Sequence, residues 1–508
     1  MKSRAPHALL LLLLAQVLLL AVSAVGPRLH LAWLNWTGRE LALRFPDPDQ
    51  LLRLGPPPVD TPDSLVAQLL TAASLPPDEA AADSLAPAAD SLVSQALHFS
   101  RTRLDPDELD TLSRNVLETW GNPAALQPFF RALADSGLVR IAHYGDSQIE
   151  GDRISQYVRG YLARRFGGGY LGTLPFLEEA SHHSLARSHS GNWRKYTIFK
   201  NRYNAARYGL SGCVFRYQPA LSAEAATQQA QAARSDSAWT RFRLAPGTRF
   251  EQVQLLWSNP YAPTRLTIRL ADTLYRRDTL PAGTLFQATD LRIPPGSTDI
   301  ALHFCGPVSP DIYGLRLTGS RGIEIDNYAL RGHSGNELAR ISDDFILQQL
   351  QAHPVQLIVF QYGGNLVPYD VANFDWYEKD LYRLLTRFKR LAPQAALLVV
   401  GVGDAARVVE GVAQTYPTVE RIRQAQRRAA ERAGVPFWDL YAAMGGANSI
   451  VSWVRQGLAG ADYAHYSPLG QRLAARLFYS ALMKAWLAQQ PPEVRFVPSE
   501  GGEGPTSP

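Results

Sequence analysis

Cysteine is almost missing: Cys213 and Cys305 are the only two in 508 residues. That excludes a disulfide-scaffolded fold and any metal site built from paired Cys-x-x-Cys knuckles. The pair can form one disulfide or stand as two separate buried thiols, and spacing does not choose between them. Runs of basic residues are missing too. Arginine supplies most of the positive charge, but the net charge is only +5, and no cluster makes a nucleic-acid footprint. Past the N-terminal segment, no stretch reaches the ~20 unbroken apolar residues of a spanning helix. His182, His183 and His189 lie close together, yet no carboxylate or Cys completes a ligand spacing. They read as a polar loop, and no metal or organic cofactor is expected.

What is present is a large apolar reserve. Hydrophobic residues make up 46% of the chain, enough for a big core, and the length calls for two or three domains. Lys2 and Arg4 precede an almost wholly apolar run, Ala8 to Ala24, with small residues at its end. This reads as a secretory signal peptide over 1–24, and the run is also long enough for an uncleaved anchor. Export to the periplasm, the membrane surface or the exterior is therefore expected. Residues 25–104 form a partly disordered linker or stalk, with Pro56-Pro57-Pro58 and Ala86-Pro87 in a Pro-, Ala-, Asp- and Ser-rich composition. From Asp105 to Ser136, Leu109, Leu112, Val116, Leu117 and Trp120 recur at helical spacing, which predicts a helix that Pro123 ends or redirects. The tail, 489–508, is Pro-, Gly- and Glu-rich and reads as disordered.

Two kinds of pattern fill the middle. Residues 105–204 and 322–488 alternate buried-strand runs with amphipathic helices. The runs are Leu138–Ala142, Leu357–Tyr362, Leu397–Val402 and Val435–Asp439; the helices include Ile154–Phe166, Glu337–Leu350, Thr418–Gly434 and Gln471–Trp486. Such alternation means a parallel sheet with helices on both faces. Residues 205–321 instead carry short segments split by Pro and Gly: Trp239–Leu244, Val253–Trp257, Arg265–Leu270 and Asp299–Phe304. Period-two alternation there predicts an all-β sandwich inserted into the α/β domain. Trp257, Tyr261 and Tyr313 are candidates for stacking on sugar faces, with core packing as the alternative.

The chemistry-bearing motifs sit where strands end. Leu138–Ala142 runs into Gly145-Asp146-Ser147-Gln148, which places Ser147 at the ligand-binding edge of an open sheet as a candidate nucleophile. Asp462-Tyr463-Ala464-His465 precedes the last helix; the aspartate can fix the imidazole tautomer, and the imidazole can take the serine proton. Gly363-Gly364-Asn365 closes the Leu357–Tyr362 strand and offers an amide donor to an oxyanion. Between them, Arg331-Gly332-His333-Ser334-Gly335-Asn336 offers a glycine N–H. Asp404 and Asp439, also at strand ends, are further acid candidates.

In the order Ser, Gly, Asn, Asp-x-x-His, these four blocks resemble the SGNH (GDSL-type) hydrolases. Gly145, Asp146 and Ser147 match the first block, Gly335 the second with Gly332 as the alternative, Asn365 the third, and Asp462 with His465 the last. The third block departs from the family's Gly-x-Asn-Asp, since Leu366 follows Asn365. The resemblance implies a flavodoxin-like three-layer fold and a serine esterase. Ser147, Asp462 and His465 would form its triad; Ser147, Gly335 and Asn365 would hold the oxyanion. The inserted sandwich looks like the peptidoglycan O-acetylesterase branch, which implies an acetylated peptidoglycan or other polysaccharide as substrate. An O-acetyltransferase using the same triad and a glycan-binding protein with a relic site are the alternatives.

Overall fold

Strands buried on both faces read as continuous apolar runs, and two such runs form the middle of the molecule: Leu357–Gln361 and Ala396–Val400, with every residue buried. In this computed structural model the described residues are 109–489, apart from Thr111, Ser136, Asn204, Ala205, residues 232–234 and Pro260. The expected signal or anchor over 1–24, the stalk over 25–104 and the tail beyond Gln489 lie outside them.

A seven-stranded sheet runs in the order Leu117–Glu118, Phe437–Trp438, Ala396–Val400, Leu357–Gln361, Leu138–Gly145, Gly322–Ala329 and Gly168–Tyr170. All pairings are parallel except that of Leu117–Glu118. This is the flavodoxin-like doubly wound order. Alternate side chains serve opposite faces. Ile141, Val359 and Leu398 pack with Leu162, Leu473 and Leu477 of the helices Ser155–Phe166 and Pro468–Ala488. Tyr144, Phe360 and Val399 pack with Leu384, Phe388 and Ala429 of the helices Asp375–Leu391 and Pro417–Ala433. The chain order reverses direction across the sheet between Leu138–Gly145 and Leu357–Gln361. The register sets Gly145 opposite Gln361, so the two strands end level.

After Gly168–Tyr170 the chain leaves this sheet for two antiparallel sheets. One runs Thr273–Leu280, Thr264–Leu270, Asp299–Gly306, Asp236–Leu244, Leu185–His189; the other runs Thr284–Asp290, Gln252–Asn259, Asp311–Thr318, Cys213–Arg216, Arg194–Thr197, with Gly172–Leu174 paired to Asp311–Thr318. Phe176, Trp193, Phe215, Phe242 and Phe304 interlock between them. The sandwich therefore starts well before residue 205. Its first strands are polar edge strands, so composition does not mark the change. Trp257 and Tyr313 are each 2% exposed, which places them in the core and removes them as sugar-stacking candidates; Tyr261 is half-buried. Cys213 and Cys305 sit in different sheets and are unpaired.

Buried charge joins the two parts. Arg140 meets Asp326 at 2.5 Å and Glu324 at 3.3 Å, while Arg316, on the sandwich strand Asp311–Thr318, meets Glu324 at 2.8 Å. Burial pushes the Glu324 carboxyl up despite Arg316; burial also opposes ionisation of Asp326, but Arg140 overcomes it and holds that carboxyl low. Deleting one partner of such a group typically costs about 3–5 kcal/mol, because a charge is left buried alone.

The helix expected over Asp105–Ser136 is not formed by the described residues that precede Pro123. Leu117–Glu118 is an edge strand instead, and Pro123 opens a short helical turn that leads into the helix Gln127–Ala134. Carbonyls that would propagate a helix are taken by the last helix: Lys484 Nζ donates to Leu112 O at 3.1 Å and to Asn115 O at 3.2 Å. Asn115 also donates to Leu477 O at 2.9 Å. Tertiary partners override the local periodicity. The Glu337–Leu350 pattern is split in the same spirit. A turn over Asn336–Arg340 is followed by the helix Asp343–Ala352, whose Ser342 hydroxyl accepts from Phe345 N.

Candidate active site

The turn after Leu138–Gly145 explains why a serine stands at the sheet edge. A Cβ on Gly145 would lie 2.9 Å from Gln361 O and 2.8 Å from Ile149 Cδ1. Close approach to the neighbouring strand, not a left-handed backbone, is what requires glycine here. Asp146 follows, buried, and its Oδ1 accepts from Gln148 N at 3.0 Å, which closes the turn. Ser147 is thereby lifted to a half-buried position, and no described acceptor takes its N–H.

His465 comes from the other end of the chain. It lies on the loop before the helix Pro468–Ala488, whose Ser467 hydroxyl accepts from Gly470 N. Gln148 Nε2 donates to Ala464 O at 2.6 Å and ties this loop to the serine turn. The result is a linear relay. Ser147 Oγ stands 2.9 Å from His465 Nε2, and His465 Nδ1 stands 2.7 Å from Asp462 Oδ2. Asp462 Oδ1 also accepts from the N–H groups of Ala464 and His465, each at 3.1 Å. Partial burial works against its charge, but the imidazole and these backbone donors outweigh that and hold the carboxyl below its ordinary value. A carboxylate on Nδ1 leaves Nε2 to accept the serine proton. The side chains of His465 and Asp462 are 45% and 52% exposed, so water reaches the relay.

Asn365 sits on the turn after Leu357–Gln361, entered through Gly363 at φ +116°. Its Nδ2 donates to Asp146 Oδ2 at 3.1 Å and to His333 O at 3.0 Å. The amide is therefore clamped in place between two acceptors. Burial pushes the Asp146 carboxyl up to about 6, against the pull of Gln148 N, His465 and Asn365.

Gly335 is not where the sequence reading put it. It is buried, its N–H donates to His333 Nδ1 at 3.2 Å, and its φ of +97° turns it against the Tyr362 ring. Gly332, three residues earlier, is half-exposed with φ +79°, and no described acceptor takes its N–H. The two glycines look alike in sequence; only the path of the loop separates them. Asp404 lines the cleft but binds Thr415, Ser449 and Ile450 N rather than His465. Asp439 caps the helix Leu440–Met444 and pairs with Arg423.

Three supporting residues carried no sequence signal. Arg153 donates to Ser147 O at 2.7 Å. His143 lies buried between Gln361 Oε1 and Ser155 Oγ, each at 3.0 Å, and burial lowers it to about 4, so it is neutral. Gln148 carries the bond to Ala464 described above. Ser147, Asn365 and His465 open onto one cleft with about 620 Å³ of empty space, open solvent included, bordered by Val402, Ala405 and Leu440. Among the described residues no group of three or more His, Cys, Asp or Glu is placed to hold a metal.

Comparison with known proteins agrees with this architecture. Residues 296–473 match the model of the GDSL-like lipase/acylhydrolase family. A solved structure of a peptidoglycan O-acetylesterase is similar over 73% of this chain and 99% of its own, at 20% identity and a TM-score of 0.58, which shows a shared fold. A putative GDSL-like lipase from Parabacteroides merdae matches over 32% of this chain and 73% of its own, at 17% identity and a TM-score of 0.25. The acetyl xylan esterase AlAXEase matches over 32% and 81%, at 13% identity and a TM-score of 0.25. No curated protein matches. Residues 296–473 thus carry the GDSL-like lipase/acylhydrolase match, and the doubly wound sheet with its inserted sandwich is a fold shared with the peptidoglycan O-acetylesterase.

Proposed function

We propose that this chain is an exported serine esterase that removes acetyl groups from an O-acetylated glycan. Ser147 Oγ attacks the ester carbonyl while His465 Nε2 takes its proton, and Asp462 holds the imidazole and stabilises the imidazolium. The N–H groups of Ser147 and Gly332 receive the oxyanion, Gly332 replacing Gly335 in this role, and the Asn365 amide joins them by turning one of its two N–H groups away from Asp146 or His333 O. His465 then returns the proton to the departing sugar oxygen, and water repeats the cycle to free acetate. Nucleophile, base and donors are all protein groups, so the reaction calls for no cofactor.

The observation that carries the proposal is the relay of 2.9 Å and 2.7 Å contacts from Ser147 through His465 to Asp462. Its exposure favours hydrolysis over transfer to a sugar, since transfer requires water to be kept out. Acetyl as the acyl group, and peptidoglycan as one candidate glycan, are suggested by the peptidoglycan O-acetylesterase whose fold this chain shares. The apolar run Ala8–Ala24 supports export. The test is Ser147→Ala against a chromogenic acetyl ester: turnover should vanish in a protein with unchanged melting temperature. Full activity in the folded variant refutes the mechanism.

A further inference from the structure

We propose that a basic strap from the inserted sandwich, with Lys200 and Arg202 at its turn, makes the site selective for glycans that carry carboxylates. This rests on the esterase reading and names the class of its substrate. The segment 194–202 reads Arg-Lys-Tyr-Thr-Ile-Phe-Lys-Asn-Arg, with four cations and no acid. Its strand, Arg194–Thr197, is an edge strand of the sandwich, and the turn beyond it is pinned by Thr197 Oγ1, which donates to Lys200 O and accepts from Lys200 N, both at 2.7 Å. The Arg340 guanidinium holds the same turn through Ile198 O at 2.6 Å.

The turn is pressed against the proposed oxyanion loop. Phe199 Cε1 lies 3.5 Å from where a Gly332 Cβ would stand, and the Phe199 ring meets His333 edge-on at 5.7 Å. His333 O is the acceptor that positions Asn365. An element of the sandwich thus packs against the loop whose His333 carbonyl holds Asn365. Lys200 and Arg202 are exposed there, and neither has a carboxylate partner among the described residues. Lys200 Nζ lies 5.6 Å from the Phe199 ring centre. Arg153, bound to Ser147 O, is a further cation beside the serine, with no carboxylate partner among the described residues. The acids nearby are already engaged: Glu150 with Arg331 at 2.6 Å, and Glu337 with His333 at 2.9 Å. Arg331 also lies 3.9 Å from Glu179. Positive charge left uncompensated beside the ester-binding groups attracts an anionic chain and raises its encounter rate. Lysine meets a carboxylate as a point charge and arginine through its planar fork, neither tied to one sugar framework, so a stem-peptide carboxylate of peptidoglycan and a uronate are both served.

The experiment compares the double variant Lys200→Gln/Arg202→Gln with the parent on a neutral chromogenic acetyl ester, acetylated peptidoglycan fragments, acetylated uronate polymer and acetylated neutral xylan. The expected result is a three- to thirtyfold rise in KM, roughly two exposed ion pairs, on one or both carboxylated glycans, with kcat held. The neutral ester and xylan should be unchanged, and the parent's advantage should disappear at about 1 M salt. Which carboxylated glycan responds identifies the source. Equal losses on charged and neutral substrates, or no loss on either, overturn the proposal. Calorimetric binding of unacetylated carboxylated oligosaccharide to Ser147→Ala, with and without the strap changes, needs no turnover. Strap-dependent, salt-sensitive binding by a protein that hydrolyses no ester would remove the esterase reading and leave the strap standing; absence of such binding in an active esterase would remove the strap alone.

Discussion

Asp462→Asn tests the proposed relay most directly, because the geometry sets its size. The native Oδ2 faces His465 Nδ1 at 2.7 Å, and Oδ1 accepts two backbone N–H groups. An asparagine can keep the backbone bonds through its oxygen, so the loop should survive. Its amide nitrogen then faces Nδ1 and favours the wrong tautomer. When His465 gains the serine proton, a carboxylate about 4 Å from the imidazolium charge is worth about 4 kcal/mol at an effective dielectric of ~20. That corresponds to roughly three decades in rate. Asp462 is 52% exposed, so solvent screens part of it, and the expected fall in kcat/KM on a chromogenic acetyl ester is about 10²–10³-fold. The variant's circular dichroism and melting temperature should stay near the parent's. A loss below tenfold, with the fold intact, would show that Asp462 does not stabilise the imidazolium and would refute the relay.

Asn365→Ala should lower kcat by about 10²–10³, as for loss of one oxyanion donor, with a smaller change in KM; an unchanged kcat would remove the amide from the mechanism. Gly335→Ala forces a Cβ to 2.9 Å from Tyr362 Cδ2 at a φ of +97°, so thermal unfolding should show a loss of about 1–3 kcal/mol while the folded fraction keeps its specific activity. Loss of activity without loss of stability would return Gly335 to the oxyanion site. Asp146 carries a pH dependence of opposite sign to a paired carboxylate. Its folded value, about 6, lies above the ordinary 3.8, so the native state holds the proton more tightly and this group's contribution to stability falls as pH rises from about 4 to 6. Asp146→Asn should flatten that part of the stability–pH curve, measured by denaturant unfolding at several pH values; an unchanged slope would contradict the burial argument.

Much of this molecule was legible along the chain because its physics is local. Apolar runs such as Leu357–Gln361 and Ala396–Val400 announce buried parallel strands, and Gly434, at φ +60°, ends its helix where a glycine stop is expected. Ser147, Asn365, Asp462 and His465 were visible because strand ends and helix starts carry turn residues with sequence signatures. The rest depended on partners far away in sequence. Lys484 and Ser480 of the last helix decide that Leu109–Trp120 does not coil. The path of the loop after Gly322–Ala329 decides that Gly335 faces Tyr362 while the Gly332 N–H meets no acceptor among the described residues. The polar strands Leu185–His189 and Arg194–Thr197 join the sandwich because it offers them edges to pair with, not because their own residues demand it. Local preference fixes which segments bend or extend. Long-range packing decides which hydrogen-bonding group each one finally faces, since a buried donor or acceptor left without a partner costs more than the local preference supplies.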